Sequence, residues 1–162
     1  MEIYLMQHGQ AFSEEADPER SLTPEGEDQI LTSARALVKM GILFDLVVSS
    51  PKKRALQTAR LTAGTLNYPL DGIKVTETLN PTALPVEAIG FLKAYEDKTR
   101  VLLAGHLPSL GEIASELLTE GPRVFIHFEM GGLCRIDVDF PRGEPGELKW
   151  SLLPEHLRLI AG

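Results

Sequence analysis

Residues 46–66, LVVSSPKKRALQTARLTAGTL, contain the pattern that decides the fold. The apolar run at residues 46–48 is short, rich in β-branched residues and without alternation, which indicates a strand buried on both faces of a parallel sheet. A helical pattern follows at once, opened by Pro51 and with Ala55 and Ala59 on its apolar face. The stretch therefore predicts a strand followed directly by a helix, the repeating unit of α/β folds.

The same strand and helix unit occurs twice more along the chain. The apolar run at residues 3–6 precedes a helix in which Thr23 is the expected cap and Pro24 the first helical residue. The apolar run at residues 101–104 precedes a helix opened by Pro108. Three such units predict a mostly parallel sheet with helices on both faces.

The remaining segments complete the expected architecture. A further helix is predicted over about residues 86–95, after an ordered loop over residues 67–85 that is rich in Pro, Thr and Asn. Alternating apolar and polar residues at 134–140 and 148–152, joined by the turn PRGEPGE at 141–147, predict an antiparallel hairpin. The fold class is thus α/β, a three-layer α/β/α arrangement with a C-terminal antiparallel hairpin.

Size and composition narrow the class of protein further. The 162 residues are 43% hydrophobic, so residues 1–162 are expected to form a single domain. A net charge of −7 argues against broad binding to nucleic acid or to an anionic membrane. Cys134 is the only cysteine, and no apolar run reaches the ~18 residues of a membrane span. These features predict a cytoplasmic protein.

The chemistry is expected where the three strands end, because ligands of open α/β sheets bind beyond the carboxyl ends of the strands. Two histidines and an arginine, His8, His106 and Arg54, fall there. An imidazole can attack phosphorus, a guanidinium can clamp two phosphoryl oxygens, and a second imidazole can donate to the third. The segments concerned are QHG at 7–9, SSPKKRALQTA at 49–59 and GHLPS at 105–109.

A strand followed by QHG, then SPKKRALQTA, then GH before a helix resembles the histidine phosphatase superfamily, whose fold is also called phosphoglycerate mutase-like. RSLTPEG at residues 20–26 resembles the segment before the first helix of that family. The short length and the lack of a long lid insertion are most similar to the SixA-type phosphohistidine phosphatases, which act on phosphorylated histidine in phosphorelay proteins.

The resemblance implies a role for each matching residue. His8 would be the nucleophile that becomes transiently phosphorylated, Arg54 a phosphate clamp, and His106 a donor that stabilises the transition state. From the residue types themselves, Gly9 is expected to let the backbone approach a small anion, and Ser50 and Ser109 either to donate to phosphate or to cap helices, with capping the preferred expectation. The resemblance implies neither a metal nor another cofactor.

Two positions depart from the family pattern. Gln7 stands where the family has an arginine, so one positive charge of the substrate-binding pocket is missing, although its amide can still donate a hydrogen bond. Lys52 or Lys53 could compensate. A general acid for the leaving group has its nearest match in Glu77, and a phosphohistidine substrate would need that acid less than an alkyl phosphate would.

Two functions of different class are therefore open. The first is a phosphohistidine phosphatase that works through phospho-His8, with a phosphorylated protein or a small phosphomonoester as its partner. The second is a phosphate-binding regulatory module that is weak or inactive because of Gln7. A mutase is disfavoured, since such enzymes need extra segments to enclose their substrate between half-reactions.

Overall fold

The computed structural model describes residues 1–140 and 143–162. In these residues a six-stranded sheet is packed between helices. The strands are β1 (Glu2–Gln7), β2 (Leu46–Ser49), β3 (Lys74–Val75), β4 (Arg100–Gly105), β5 (Leu133–Asp137) and β6 (Glu147–Leu152). The helices are α1 (Pro24–Lys39), α2 (Lys53–Thr65), α3 (Pro85–Lys93), α4 (Ser109–Leu118) and α5 (Pro154–Ala161).

The strand order is β3-β2-β4-β1-β5-β6. The pairs β3–β2, β2–β4 and β4–β1 are parallel, whereas β5 is antiparallel to β1 and β6 is antiparallel to β5. The predicted α/β class, with a mostly parallel sheet and a C-terminal antiparallel hairpin, is confirmed. None of the helices in the described part of the chain is long and apolar enough to cross a membrane.

Each face of the sheet carries its own apolar core. On β1, Ile3 and Leu5 pack with residues of α3 and α4, while Tyr4 and Met6 pack with residues of α1, α2 and α5. Successive side chains of a strand point to opposite faces, so a strand covered on both sides must be apolar at every position. This is why the strands appear in the sequence as unbroken apolar runs.

Helix starts follow local chemistry with small shifts from the prediction. The Thr23 hydroxyl accepts from the Gly26 amide at 3.0 Å, and α1 begins at Pro24 as predicted. The helix expected from Pro51 begins only at Lys53, because the Lys52 amide donates to the Ser50 hydroxyl and residues 50–52 form a turn first. Likewise α4 begins one residue after Pro108, and α3 covers residues 85–93 rather than 86–95.

Two elements were not predicted. The eight-residue α5 is too short to give a clear periodic signal, and the two-residue β3 lies inside the expected loop at 67–85. The expected strand at 134–140 is β5, which ends at Asp137. The first two residues of the predicted turn PRGEPGE, 141 and 142, lie outside the described residues.

Gly26 allows α1 to pack closely against the backbone of Gln10, and a substitution at Gly26 tests this packing. A Cβ at Gly26 would lie 2.0 Å from the backbone oxygen of Gln10. Gly26→Ala should therefore lower the free energy of unfolding by about 1–3 kcal/mol in urea denaturation. Gly64→Ala in α2 is the matched control, since nothing lies within 4 Å of its Cβ; it should gain about 0.5–1 kcal/mol. Equal effects of the two substitutions would contradict the packing argument.

Candidate active site

Strand register brings the candidate residues together. Gln7 of β1 is paired with Gly105 of β4, and Ser49 of β2 is paired with Ala104 of β4. The residues that follow, His8, His106 and Ser50, therefore leave the same edge of the sheet from three neighbouring strands. Backbone hydrogen bonds of 3.1 Å continue the pairing, from the His8 amide to the Gly105 carbonyl and from the Ser50 amide to the Ala104 carbonyl.

The His8 ring is held by both nitrogens. Its Nδ1 lies 2.7 Å from the Gly9 carbonyl oxygen, which can only accept, so Nδ1 carries the proton. Its Nε2 accepts from Arg54 Nε at 3.2 Å. The proton is thus on the far side of the ring, and the lone pair on Nε2 faces the guanidinium of α2. This is the tautomer that a nucleophilic imidazole requires.

The His106 ring lies beside His8, with the ring centroids 5.0 Å apart. Its Nε2 lies 2.9 Å from the Ser50 hydroxyl, which itself donates to Asn80 Oδ1 at 3.1 Å. Because the hydroxyl has one proton and gives it to Asn80, the hydrogen on Nε2 of His106 is the donor in the Ser50 contact. The Nδ1 atom of His106 is buried and has no hydrogen-bond partner in the structure.

Burial keeps both rings neutral. His8 is 9% exposed, and burial lowers its pKa to about 4 against the opposing hydrogen bond to Gly9, while the positive charges of Arg54 and Arg20 act in the same direction as burial. Burial also lowers the pKa of His106 to about 3, assisted by the charges of His8, Arg54, Lys52 and Arg20. At neutral pH the site therefore holds a neutral nucleophile candidate beside a neutral donor.

The backbone around Gly9 is closely packed. Its amide donates to the Thr58 hydroxyl at 3.2 Å, and that hydroxyl donates to the Arg54 carbonyl at 2.8 Å. A Cβ on Gly9 would lie 2.8 Å from the Gly26 carbonyl oxygen and 2.8 Å from Ile30. Gly9 is thus required for the close approach of α1 to the residue after His8, in addition to its predicted nearness to an anion.

Three residues at the site were missed by the sequence reasoning. Thr58 and Asn80 fix Gly9 and Ser50, and the charge of Arg20 acts on His8, Arg54 and His106. Thr58 lies within the motif at 49–59 and Arg20 within RSLTPEG, so motif membership was the only available signal. Asn80 lies in the irregular segment at 67–85, where no periodicity indicated that it would reach Ser50.

The structure does not bring all predicted site residues into the same network. The side chain of Gln7 makes no hydrogen bond with His8, Arg54 or His106, and its Oε1 is buried without a partner. Glu77 is exposed and lines a separate cavity with Thr78 and Asn80, so its role as a general acid stays a prediction.

The structure gives different surroundings to the two serines and the two lysines that the sequence analysis considered. Ser50 binds His106 and Asn80 and is not the N-cap of α2, which is Lys52. Ser109 lies inside α4 with its hydroxyl buried and unpartnered, so the expected capping role of both serines is wrong. The Lys53 ammonium is paired with Glu19 at 2.6 Å, whereas the charge of Lys52 acts on His106.

Across residues 1–140 and 143–162 no three His, Cys, Asp or Glu residues are grouped so as to hold a metal ion.

Comparison with known proteins identifies the family of the chain. The model of the histidine phosphatase superfamily (branch 1) matches residues 3–80. An uncharacterized protein of Picosynechococcus sp. is 32% identical over 124 residues, 72% of this chain and 73% of that protein. A phosphohistidine phosphatase SixA homolog of Haemophilus influenzae is 29% identical over 126 residues, 72% of this chain and 77% of the homolog. The structure of the protein histidine phosphatase SixA complexed with tungstate has a TM-score of 0.86 at 27% identity, covering 97% of this chain and 99% of that one.

The chain belongs to the histidine phosphatase superfamily. Within it, the solved SixA structure shares nearly the full length of the fold. The resemblance inferred from the strand-end motifs is confirmed, and the phosphatase class of hydrolase is supported by the family and by its SixA-like neighbours.

The low pKa of His8 predicts a loss of stability in mild acid. Below pH ~6.5 the unfolded chain protonates this imidazole, whereas the folded chain does not do so until about pH 4. The unfolded state therefore binds more protons in this window, and stability falls as pH falls, by about 1.4 kcal/mol per pH unit for a fully shifted group.

Urea denaturation at pH 7, 6 and 5 measures this effect. The His8→Gln variant cannot titrate at this position, so it should lose less stability between pH 6.5 and 5 than the wild type. Carboxylates contribute equally to both proteins and cancel in the comparison. Identical pH slopes for the two proteins would contradict a neutral, buried His8.

Proposed function

We propose that the protein is a phosphohistidine phosphatase that works through a phospho-His8 intermediate. The observation that carries this proposal is the state of His8: a neutral ring whose Nδ1 proton is committed to Gly9 and whose Nε2 lone pair lies beside Arg54. The low pKa of about 4 keeps Nε2 unprotonated throughout the physiological pH range, so that its lone pair is free for phosphorus once Arg54 turns to a bound phosphoryl group.

In the first step the Nε2 lone pair of His8 forms a bond to the phosphorus of the substrate phosphohistidine. The P–N bond of the substrate breaks, and its electron pair returns to the substrate nitrogen. A substrate ring that already carries a proton on its other nitrogen leaves as neutral imidazole and needs no proton from the enzyme. The proton on His8 Nδ1 stays on that nitrogen and remains hydrogen-bonded to the Gly9 carbonyl, which supports the positive charge that develops on the ring.

In the second step water attacks the phosphorus of phospho-His8. The P–N bond to Nε2 breaks, the electron pair returns to His8, and the proton released by the water passes to the phosphate product. His8 is then in its starting tautomer, with Nδ1 still bonded to Gly9. The first step passes the phosphoryl group between imidazole nitrogens, and the second passes it to water. The atoms and electrons of both steps balance without a metal or cofactor.

Arg54 and His106 would bind the oxygens of the phosphoryl group in both steps. In the ligand-free arrangement Arg54 donates from Nε to His8 and His106 donates from Nε2 to Ser50. A bound phosphoryl group offers stronger, charged acceptors to the same donors. The guanidinium would then bind two of its oxygens and His106 the third, where negative charge grows in the transition state.

The position of Glu77, away from the two histidines, favours a phosphohistidine substrate. Glu77 makes no contact with the histidine pair in the described residues, and imidazole is a better leaving group than an alkoxide. A site without a close general acid therefore favours a P–N bond over a P–O bond. The SixA relatives, one called a phosphohistidine phosphatase homolog and one a protein histidine phosphatase, support the same substrate class.

An apolar surface beside the site supports a protein rather than a small substrate. The residues after His106 form one wall of a shallow cavity of about 460 Å³, opposite Val124, Phe125 and Ile126. The Phe125 side chain is 84% exposed. Exposed apolar side chains that gather next to a reactive group are typical of surfaces that contact another protein.

Turnover of a phosphohistidine protein tests the proposal directly. His8→Ala should lose on the order of a thousandfold or more in phosphate release, while the control His127→Ala, an exposed histidine paired with Glu129, should keep the wild-type rate. Gln7→Arg should raise the rate by up to about tenfold, because it adds a charged donor to the pocket.

The alternative of an inactive phosphate-binding module is decided by the same assay. It is favoured by Gln7, which carries no charge and whose Oε1 is buried without a partner among the described residues. If the wild type and Gln7→Arg both fail to release phosphate while the wild type still binds inorganic phosphate in calorimetry, the enzyme proposal is wrong and the binding module replaces it.

A second prediction concerns the protein surface. Phe125→Ser should lower kcat/KM for a phosphohistidine protein about tenfold and leave kcat/KM for a small aryl phosphate unchanged, since the ring lies outside the phosphate pocket. Leu159→Ser on α5 is the matched control, because Leu159 is 82% exposed but belongs to another surface. A parallel loss on both substrates would remove the argument for a protein partner.

A further inference from the structure

The segment between His8 and α1 folds back as a hairpin. Ala11 and Leu22 form an isolated antiparallel bridge, and the Phe12 amide donates to the Ser21 carbonyl at 2.9 Å. The chain that leaves the nucleophile therefore returns to it before α1 begins.

The returning strand of this hairpin is tied to α2 on both sides of Arg54. Glu19 is paired with Lys53, and the Leu22 amide donates to the Gln57 side chain at 2.8 Å. Lys53 and Gln57 flank Arg54 on the first turns of α2. The residues between Glu19 and Leu22 are therefore held against the part of the helix that carries the phosphate clamp, and the first of them is Arg20.

The backbone of Arg20 has an unusual conformation that its surroundings enforce. Its φ of 52° is in the left-handed region, which residues with a Cβ rarely adopt. The Asp17 carbonyl accepts from the Arg20 amide at 2.8 Å, and the Asp17 carboxylate accepts from the amide and hydroxyl of Ser21. Such conformations persist where neighbouring contacts hold them and are concentrated at functional sites.

The charge of Arg20 is left without an anion. Its Nε donates to the Phe12 carbonyl at 3.3 Å, and no carboxylate within residues 1–140 and 143–162 is paired with it. Lys53, by contrast, is neutralised by Glu19. The terminal nitrogens of Arg20 thus keep donors for a ligand, while the lysine considered from sequence does not.

The effect of this charge reaches the whole site. Burial and then the charge of Arg20 lower the pKa of Arg54, and the same charge contributes to the lowered pKa values of His8 and His106. Arg20 is therefore close enough to the three residues to change their titration. A cluster of cations without a carboxylate is unfavourable unless an anion occupies it.

We propose that Arg20 is a second phosphate-binding arginine, which supplies from the hairpin the positive charge that Gln7 does not supply beside the nucleophile. The inference rests on the proposed function only in that it takes a phosphoryl group as the ligand. The family pattern places an arginine directly before the nucleophilic histidine; Arg20 lies instead at the start of RSLTPEG, the segment that resembles the family's sequence before its first helix.

A double-substitution cycle tests the inference. Arg20→Gln should weaken binding of orthovanadate in calorimetry, and raise KM for a phosphohistidine protein, by about tenfold or more. The same substitution made in the Gln7→Arg background should cost about threefold or less, because the restored arginine meets the same need. Arg20→Lys should keep most of the vanadate affinity. Arg35→Gln on α1, which removes an exposed arginine, is the charge-matched control and should change neither quantity.

The outcomes separate this inference from the function it builds on. An equal loss from Arg20→Gln in both backgrounds would assign Arg20 a purely structural role, and unchanged vanadate affinity in Arg20→Gln would assign it none; either result overturns the inference. If the wild type binds vanadate but releases no phosphate, and Arg20→Gln weakens that binding with rescue by Gln7→Arg, the inference stands while the phosphatase proposal fails.

Discussion

The parallel pairing of β1 with β4 is the constraint on which the site depends. Their register sets Gln7 opposite Gly105, so the two histidines that follow leave adjacent strands at the same height. The His8 amide continues the ladder by donating to Gly105, and the rings come to lie 5.0 Å apart. A shift of one residue would turn one of these rings to the opposite face of the sheet. The apolar runs that bury β1 and β4 on both faces therefore fix the geometry of the chemistry as well as the stability of the sheet.

Burial at this edge has two consequences that agree with each other. Removing His8 and His106 from water favours their neutral forms, and the cations of α2 and of the hairpin lower both pKa values further. The hydrogen bond to Gly9 opposes this shift for His8, but it fixes the tautomer with the free lone pair on Nε2. The same surroundings that make the rings poor bases thus leave the Nε2 lone pair of His8 unprotonated, in the tautomer that a nucleophilic imidazole requires.

Much of this arrangement could be predicted from sequence, for identifiable reasons. Buried parallel strands lack alternation, and Thr23 with Pro24 gives a strong helix start, so the three central strands and α1 were predicted. The strand-end rule then located His8, Arg54 and His106. Contacts made by irregular segments could not be predicted, because no periodicity relates Asn80 to Ser50 or Arg20 to Arg54. The mistaken capping role of Ser109 came from reading a residue beside Pro108 by local preference alone.

The position of Gln7 shows why motif matching and electrostatics have to be considered separately. Motif matching compares one residue with one position. Because Gln7 stands where the family has arginine, such a comparison records the loss of one positive charge from the pocket. A phosphoryl group responds to the summed field of every charge around it, whichever segment carries that charge. The hairpin that leaves His8 returns to α2 through Glu19 and Leu22, and this holds Arg20 beside the first turns of that helix. With Arg20 in the role proposed above, the same electrostatic requirement would be met from a loop, by a residue that a comparison limited to the position before the histidine does not consider.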